Sequence, residues 1–178
     1  MKIALILLIC GTSLLAMEEI GSLSIGIHNA IGNNASHKEI NSRGPAFGIL
    51  IPVQLPTIPT HVKIKIAFHD IDDTNDNLPD ASYLHVTNEF LFGYKSWQQN
   101  NISLLPQIGI GVSGERYKIE KGVGGSHFDI FVDLSLRLDF ELPHFQLGAM
   151  FNFERDFNMG YGSFISPSRL NFSLLFSK

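Results

Sequence analysis

The chain has 178 residues, of which 17% are charged and 11% aromatic, with 16 glycines and 14 phenylalanines. The length suits a single domain, and so little charge beside so much Phe and Gly is unusual for a soluble one. The formal net charge of −4 argues against nucleic acid as a partner, because nucleic acids select basic surfaces. We expect no catalytic, cofactor-binding or metal-binding residues, since no constellation of the kind those sites require is present.

The first residues have the pattern of a secretory signal peptide: Lys2, an apolar core at 3–9, and then small residues. We predict cleavage after Ala16, which makes 1–16 the signal and 17–178 the mature domain. The apolar stretch of about 14 residues is too short for a membrane-spanning helix. Cleavage also removes the only cysteine of the chain, so the exported protein contains no disulfide.

After the signal, apolar residues recur at every second position instead of with a helical period. Eight such segments, separated by clusters of turn-forming residues, predict eight β-strands. In chain order they cover 21–28, 45–55, 61–69, 82–94, 102–116, 128–142, 145–156 and 168–177. A strand turns successive side chains to opposite faces, so each has one apolar and one mostly polar face.

The connections between these strands alternate in length. Short ones are expected at 55–60, 96–100 and 142–144, and longer polar ones at 29–44, 70–81, 117–125 and 157–167. An even number of strands with short turns at one end and long loops at the other is typical of a bacterial outer-membrane barrel. The sequence therefore predicts an all-β fold, an eight-stranded antiparallel up-and-down transmembrane β-barrel with both chain ends on the periplasmic side.

The direction of the apolar face separates two kinds of barrel. In a soluble lipocalin-like barrel that face surrounds an apolar ligand, whereas in a membrane barrel it contacts lipid. Two features favour the membrane: the apolar face carries almost no charge, Arg155 being the exception, and the opposite face is rich in small polar residues. Aromatic residues at the strand ends predict two interfacial girdles. They are Tyr94, Trp97 and Phe145 near the short turns, and Tyr83, Tyr117, Tyr161 and Phe164 near the long loops.

Two residues interrupt the apolar face. Asn88 falls in the middle of its strand, and Pro106 lacks the N–H group that a ladder hydrogen bond needs. We therefore expect a β-bulge near 105–107.

The C-terminal residues LNFSLLFSK place aromatic and apolar side chains at every second position up to Phe176, with Ser177 and Lys178 after it. This segment resembles the closing strand by which outer-membrane proteins are recognised for barrel assembly. With the signal and the eight strands, the mature chain resembles small outer-membrane barrels of the OmpA/OmpX type. The resemblance implies contact with outer-membrane lipids and with the assembly machinery through the last strand, but it implies no particular function.

The polar face carries many charges, and these should meet inside the barrel. Lys63 lies opposite Glu89 if strands three and four pair without a bulge, and both Lys63 and Lys65 are expected at the depth of Asp139 and Glu141. Buried charges must be paired, so we predict an interior salt-bridge network. The alternative is a narrow gated pore lined by the same charges.

Two further segments have candidate chemistry. The acidic loop 70–80 offers carboxylates to Ca²⁺, but it fails the EF-hand pattern, and a solvated loop is the favoured interpretation. The segment His85-Val86-Thr87-Asn88 is similar to the His-x-Ser-Asn segment of outer-membrane lipid A deacylases, with Thr87 in place of Ser. Because His85 and Thr87 fall on the inward face, we predict no enzyme.

We therefore expect a monomeric outer-membrane barrel with a structural or surface-interaction role, in which the long loops contact an extracellular ligand. A narrow pore and a secreted lipocalin-like barrel that binds an apolar ligand remain the alternatives.

Overall fold

The computed structural model describes residues 21–33, 39–53, 58–71, 81–94, 97–119, 125–157 and 168–177. Within these ranges the strands are β1 (Ser22–Asn33), β2 (Glu39–Val53), β3 (Thr60–Ile71), β4 (Ala81–Gly93), β5 (Trp97–Gln99), β6 (Ile102–Ile119), β7 (Gly125–Glu141), β8 (Gln146–Asp156) and β9 (Ser168–Ser177). No helix in the described part of the chain is long and apolar enough to cross a membrane. The predicted signal peptide lies outside the described residues.

Eight of these strands form one closed antiparallel barrel. Each is hydrogen-bonded to the barrel strands before and after it in the chain, β4 pairs directly with β6, and β1 pairs with β9 to close the ring. The three-residue β5 lies in the connection between β4 and β6 and pairs only with β6. The predicted eight-stranded up-and-down barrel is confirmed, and the turn expected at 96–100 contains this additional short strand.

The strands extend further toward the long loops than the sequence predicts. Pairing of β1 with β2 runs residue by residue from Ser22 opposite Leu50 to Asn33 opposite Glu39, so most of the loop expected at 29–44 is a paired hairpin. The alternation of apolar and polar residues along β1 fades after His28. Backbone pairing continues without that pattern, which is why the sequence places the strand end too early.

The bulge expected near Pro106 is wrong. Pairing of β6 with β7 continues through this point, with Pro106 opposite Leu136. The Pro106 carbonyl accepts a hydrogen bond of 3.0 Å from the Tyr94 N–H, just after β4 ends at Gly93. The Pro106 nitrogen lies on the same side of β6 as this carbonyl, so it also points beyond the end of β4. No ladder donor is needed there, and proline is tolerated without a bulge.

The apolar face points outward and the polar face is buried inside. Leu134 and Phe151 are 56% and 59% exposed, whereas Lys63 and Asp133 are 1% and 0% exposed. A soluble lipocalin-like barrel requires the reverse arrangement, so that alternative is wrong and the transmembrane orientation is confirmed. Asn88 is exposed on the outward face, as predicted.

The aromatic girdles are only partly as predicted. Tyr94, Trp97 and Phe145, near the short turns, are all exposed. Tyr83 is buried inside the barrel with 4% exposure, so its assignment to the outer girdle is wrong, because it occupies an inward position of β4. The side chains of Tyr117, Tyr161 and Phe164 lie outside the described residues.

A small apolar layer also fills part of the interior. Leu50, Leu91, Met150 and Leu175 form one buried cluster contributed by four strands. A lumen enclosed by eight strands is just wide enough for side chains to fill, and these four side chains occupy part of it.

Closure of the ring depends on Gly26, where β1 approaches β9. A Cβ added to Gly26 would fall against the backbone carbonyl of Phe172 and lie 2.7 Å from the Ser173 Cα. We expect Gly26→Val to prevent the seam from forming, because the obstructing atoms belong to backbone that cannot move aside. The measurement is electrophoretic mobility with and without boiling, in which the variant should lose the heat-dependent shift of a closed barrel.

Gly114→Ala is the matched control. A Cβ there would lie 3.1 Å from Phe128, whose exposed ring can turn away, so this variant should keep the heat-dependent shift. A normal shift in Gly26→Val would show that the seam tolerates a side chain at this point.

Candidate functional site

The interior of the barrel contains a network of buried charges. Among the described residues, seven carboxylates, those of Glu89, Glu115, Asp129, Asp133, Asp139, Glu154 and Asp156, are buried together with four cations, those of Lys63, Lys65, Arg137 and Arg169. The inward positions of neighbouring strands place these side chains in one lumen. The predicted interior salt-bridge network is therefore confirmed.

Lys63 connects its own strand, β3, to β4, β7 and β8. Its Nζ lies 2.5 Å from the Glu89 Oε1, 3.6 Å from the Asp133 Oδ2 and 3.8 Å from the Glu154 Oε1. Lys63 and Glu89 are also direct partners in the pairing of β3 with β4, as predicted. Three carboxylates around one ammonium compensate the cost of removing that charge from water.

Glu154 is the most shared acceptor of the network. Its Oε1 accepts hydrogen bonds from the Lys65 ammonium and, at 2.7 Å, from the Asn171 amide, while its Oε2 accepts from the Arg169 Nε at 3.0 Å. The side chain is completely buried. Glu154 therefore holds β3, β8 and β9 together across the lumen.

Arg169 extends the network toward the loop end of the barrel. Its guanidinium donates to both carboxylate oxygens of Asp156, lies 3.5 Å from the Glu115 Oε1, and stacks 5.3 Å from the centre of the Phe131 ring. We did not predict Arg169 and Glu115 as members of the network. Their positions on the polar faces of their strands are the only sequence signal that could have identified them.

The expected depth of the lysines is wrong. Lys63 and Lys65 contact Glu89, Asp133 and Glu154 instead of Asp139 and Glu141. Asp139 pairs with Arg137 of its own strand at 2.7 Å, and Glu141 is exposed at the strand end. The stagger between strands moves their inward residues along the barrel axis, and alternation alone cannot reveal that stagger.

Three of the carboxylates have the spacing of a metal site. Oxygens of Glu89, Asp133 and Glu154 all lie within 4.8 Å of one another. The Lys63 ammonium lies close to all three, however, so a cation of the chain itself already occupies the position that a metal ion would take. The arrangement fits an internal ion-pair cluster better than a metal centre.

Two histidines also belong to the interior. His28 and His85 are both buried, with ring centres 5.0 Å apart, and the His28 Nδ1 lies 2.5 Å from the Asn171 Oδ1. Thr87 is completely buried as well, so His85 and Thr87 face the lumen, as predicted, and not the lipid where a deacylase substrate would lie. The loop considered for Ca²⁺ falls mostly outside the described residues.

Removing the Glu154 charge should weaken the barrel. We expect Glu154→Gln to lower the free energy of unfolding by about 3–5 kcal/mol, because Lys65 and Arg169 lose a buried counter-charge. Urea unfolding of the protein in lipid vesicles, followed by fluorescence, measures the change. Arg155→Gln is the control, since the neighbouring Arg155 is exposed and donates to the Ser168 hydroxyl; equal stability of the two variants would contradict the structural role of Glu154.

No protein-family model matches this chain, and no curated protein is similar to it in sequence. Among solved structures, the Neisserial surface protein A is similar with a TM-score of 0.50 and 11% identity, over 87% of this chain and 93% of that one. Ail, the attachment invasion locus protein of Yersinia pestis, gives a TM-score of 0.44 and 18% identity over 89% and 97%. Its complex with the heparin analogue sucrose octasulfate gives 0.49 and 16% over 88% and 96%. At these identities the likeness concerns the fold alone, and the chain is a small eight-stranded antiparallel β-barrel of the outer-membrane type.

Proposed function

We propose that this protein is an outer-membrane barrel that acts at the cell surface through the four connections that follow β1, β3, β6 and β8. The observation that supports this most is the filled interior. Lys63, Glu154 and Arg169 are completely or almost completely buried and contact partners on several strands, so the lumen is occupied by side chains. A barrel with an occupied lumen and a lipid-facing exterior presents to the outside chiefly the end where its loops emerge.

The four connections that the sequence predicts to be long emerge at the same end of the barrel, and 72–80 and 158–167 are the longest of them. The four connections follow β1, β3, β6 and β8, and antiparallel pairing brings those strand ends together. The connecting residues 34–38, 72–80, 120–124 and 158–167 are rich in Asn, Asp, Gly and Ser. The barrel therefore holds four polar segments close together at one end, where a single ligand can contact several of them.

Cysteine labelling tests which end faces outward. The only native cysteine, Cys10, falls in the predicted signal, so single cysteines can be placed at Asn77 and Ser163 in the long connections and at Thr57 in a short one. We expect a membrane-impermeant maleimide to label Asn77→Cys and Ser163→Cys in intact cells, and Thr57→Cys only after lysis. Labelling of Thr57→Cys in intact cells would place the short turns outside and contradict the proposal.

Loop removal tests the surface role itself. Replacing 72–80 and 158–167 with two-residue turns should preserve membrane insertion, because the strands below them carry the pairing and the ion-pair network. Cells that express the native protein and cells that express the trimmed one are then compared on an array of glycans and matrix proteins. Binding that disappears on trimming supports the proposal. The absence of any loop-dependent binding would contradict it and would indicate that the protein is a membrane scaffold.

The proposed function and the pore alternative make opposite predictions about conductance across a bilayer. We expect the reconstituted protein to be silent in a planar bilayer, since buried side chains occupy the lumen. A steady cation-selective conductance that changes in Lys63→Gln would contradict this, because carboxylates outnumber cations in the described interior and would favour cations in any open passage.

A further inference from the structure

The outer surface of the barrel carries a trench of about 630 Å³ that crosses the strands. Two rows of outward side chains form its walls, and the backbone between them forms its floor. One wall consists of Pro106, Leu136, Phe151 and Phe172, and the other of Leu134, Phe153, Leu170 and Asn29. The register confirms that each wall follows directly paired residues from strand to strand.

The walls are apolar except at one end. Leu134, Phe151 and Leu170 are about half exposed, so their side chains project outward on both sides of the floor. Phe151 and Phe172 also contact each other, with ring centres 4.8 Å apart. The exception is Asn29, the first polar residue on the outward face of β1 after Leu23, Ile25 and Ile27. The trench therefore has an apolar body and one polar end.

The trench runs obliquely through the depth of the membrane. Asn29 lies toward the loop end of β1, whereas Pro106 lies near the turn end of β6. The four strand spacings between Asn29 and Pro106 amount to about 19 Å across the sheet. Because the strands tilt by about 45°, this distance corresponds to a difference in depth of roughly 14 Å along the bilayer normal. One leaflet of the hydrocarbon core is about 15 Å thick, so the trench has the length and the slope to hold one acyl chain.

A cation lies just beyond the polar end. Arg43 is the direct partner of Asn29 across β1 and β2, and it is exposed. On the outward face of β2 it follows an apolar run that starts at Val53 and ends at Pro45, which places its guanidinium at the border of the apolar belt. The other strand partner of Arg43 is Asp70. A guanidinium beside an amide at this level suits a phosphate group, to which arginine can donate two parallel hydrogen bonds.

We propose that the trench binds one acyl chain of an anionic phospholipid of the outer leaflet, whose phosphate contacts Arg43 and Asn29. The acyl chain lies between the wall that contains Phe151 and the wall that contains Phe153. The inference rests on the proposed membrane location, but it does not depend on what the loops bind.

Native mass spectrometry tests this on the full-length mature barrel, released from micelles that contain equal amounts of phosphatidylglycerol and phosphatidylcholine. We expect one retained lipid with a preference for phosphatidylglycerol, because the choline cation of phosphatidylcholine offsets the attraction of its phosphate to Arg43. Arg43→Gln should reduce that preference about tenfold, as the loss of one charged contact implies. Arg116→Gln, which removes an exposed outward arginine of β6, should leave it unchanged.

A second pair of variants tests the trench itself. Leu170→Trp fills it and should abolish retention of the lipid, whereas Ile64→Trp adds the same bulk to the outward face of β3 and should not. Equal retention in the two tryptophan variants, or equal headgroup preference in the two arginine variants, would overturn the proposal. The heat-dependent mobility shift of each variant shows separately whether the barrel has folded, and membrane fractionation shows separately whether the proposed location is correct.

Discussion

The structure depends above all on closing the backbone hydrogen bonds of the sheet. Hydrocarbon offers no partner to a free N–H or C=O group, so a sheet can cross a membrane only when it has no edge. Here the last edge disappears where β1 pairs with β9, from Leu23 opposite Phe176 to Ile31 opposite Ser168. The close approach at Gly26 belongs to this seam, which explains why the smallest residue occupies that position.

Closing a ring of only eight strands then determines what the interior can contain. Inward side chains from opposite strands meet in a narrow lumen, and a charge placed there must find a partner within a few ångströms. Glu154 does so through Lys65, Arg169 and Asn171, and Lys63 does so through three carboxylates. Together with the apolar layer around Leu91 and Met150, this network fills much of the lumen with side chains in the described part of the barrel.

A filled interior and an apolar exterior leave two surfaces for function. One is the loop end, where the connections after four strands come together. The other is the lipid-facing wall, where the trench between β6 and β1 ends at Asn29, the strand partner of Arg43. The similarity to the Neisserial surface protein A extends to the fold, so what either surface binds must be learned from this chain itself.

The sequence by itself determined the number of strands, the face that each strand turns outward and one ion pair. All three follow from short-range rules: side chains alternate along a strand, and strands joined by a hairpin pair in a predictable register, which places Lys63 opposite Glu89. Only the tertiary structure decided that Lys65 meets Glu154, that Arg169 joins several carboxylates and that Pro106 needs no bulge. These contacts depend on the stagger of the closed sheet and on where neighbouring strands end. Both are set by closure of the whole ring, so the residue pattern of one strand does not contain them.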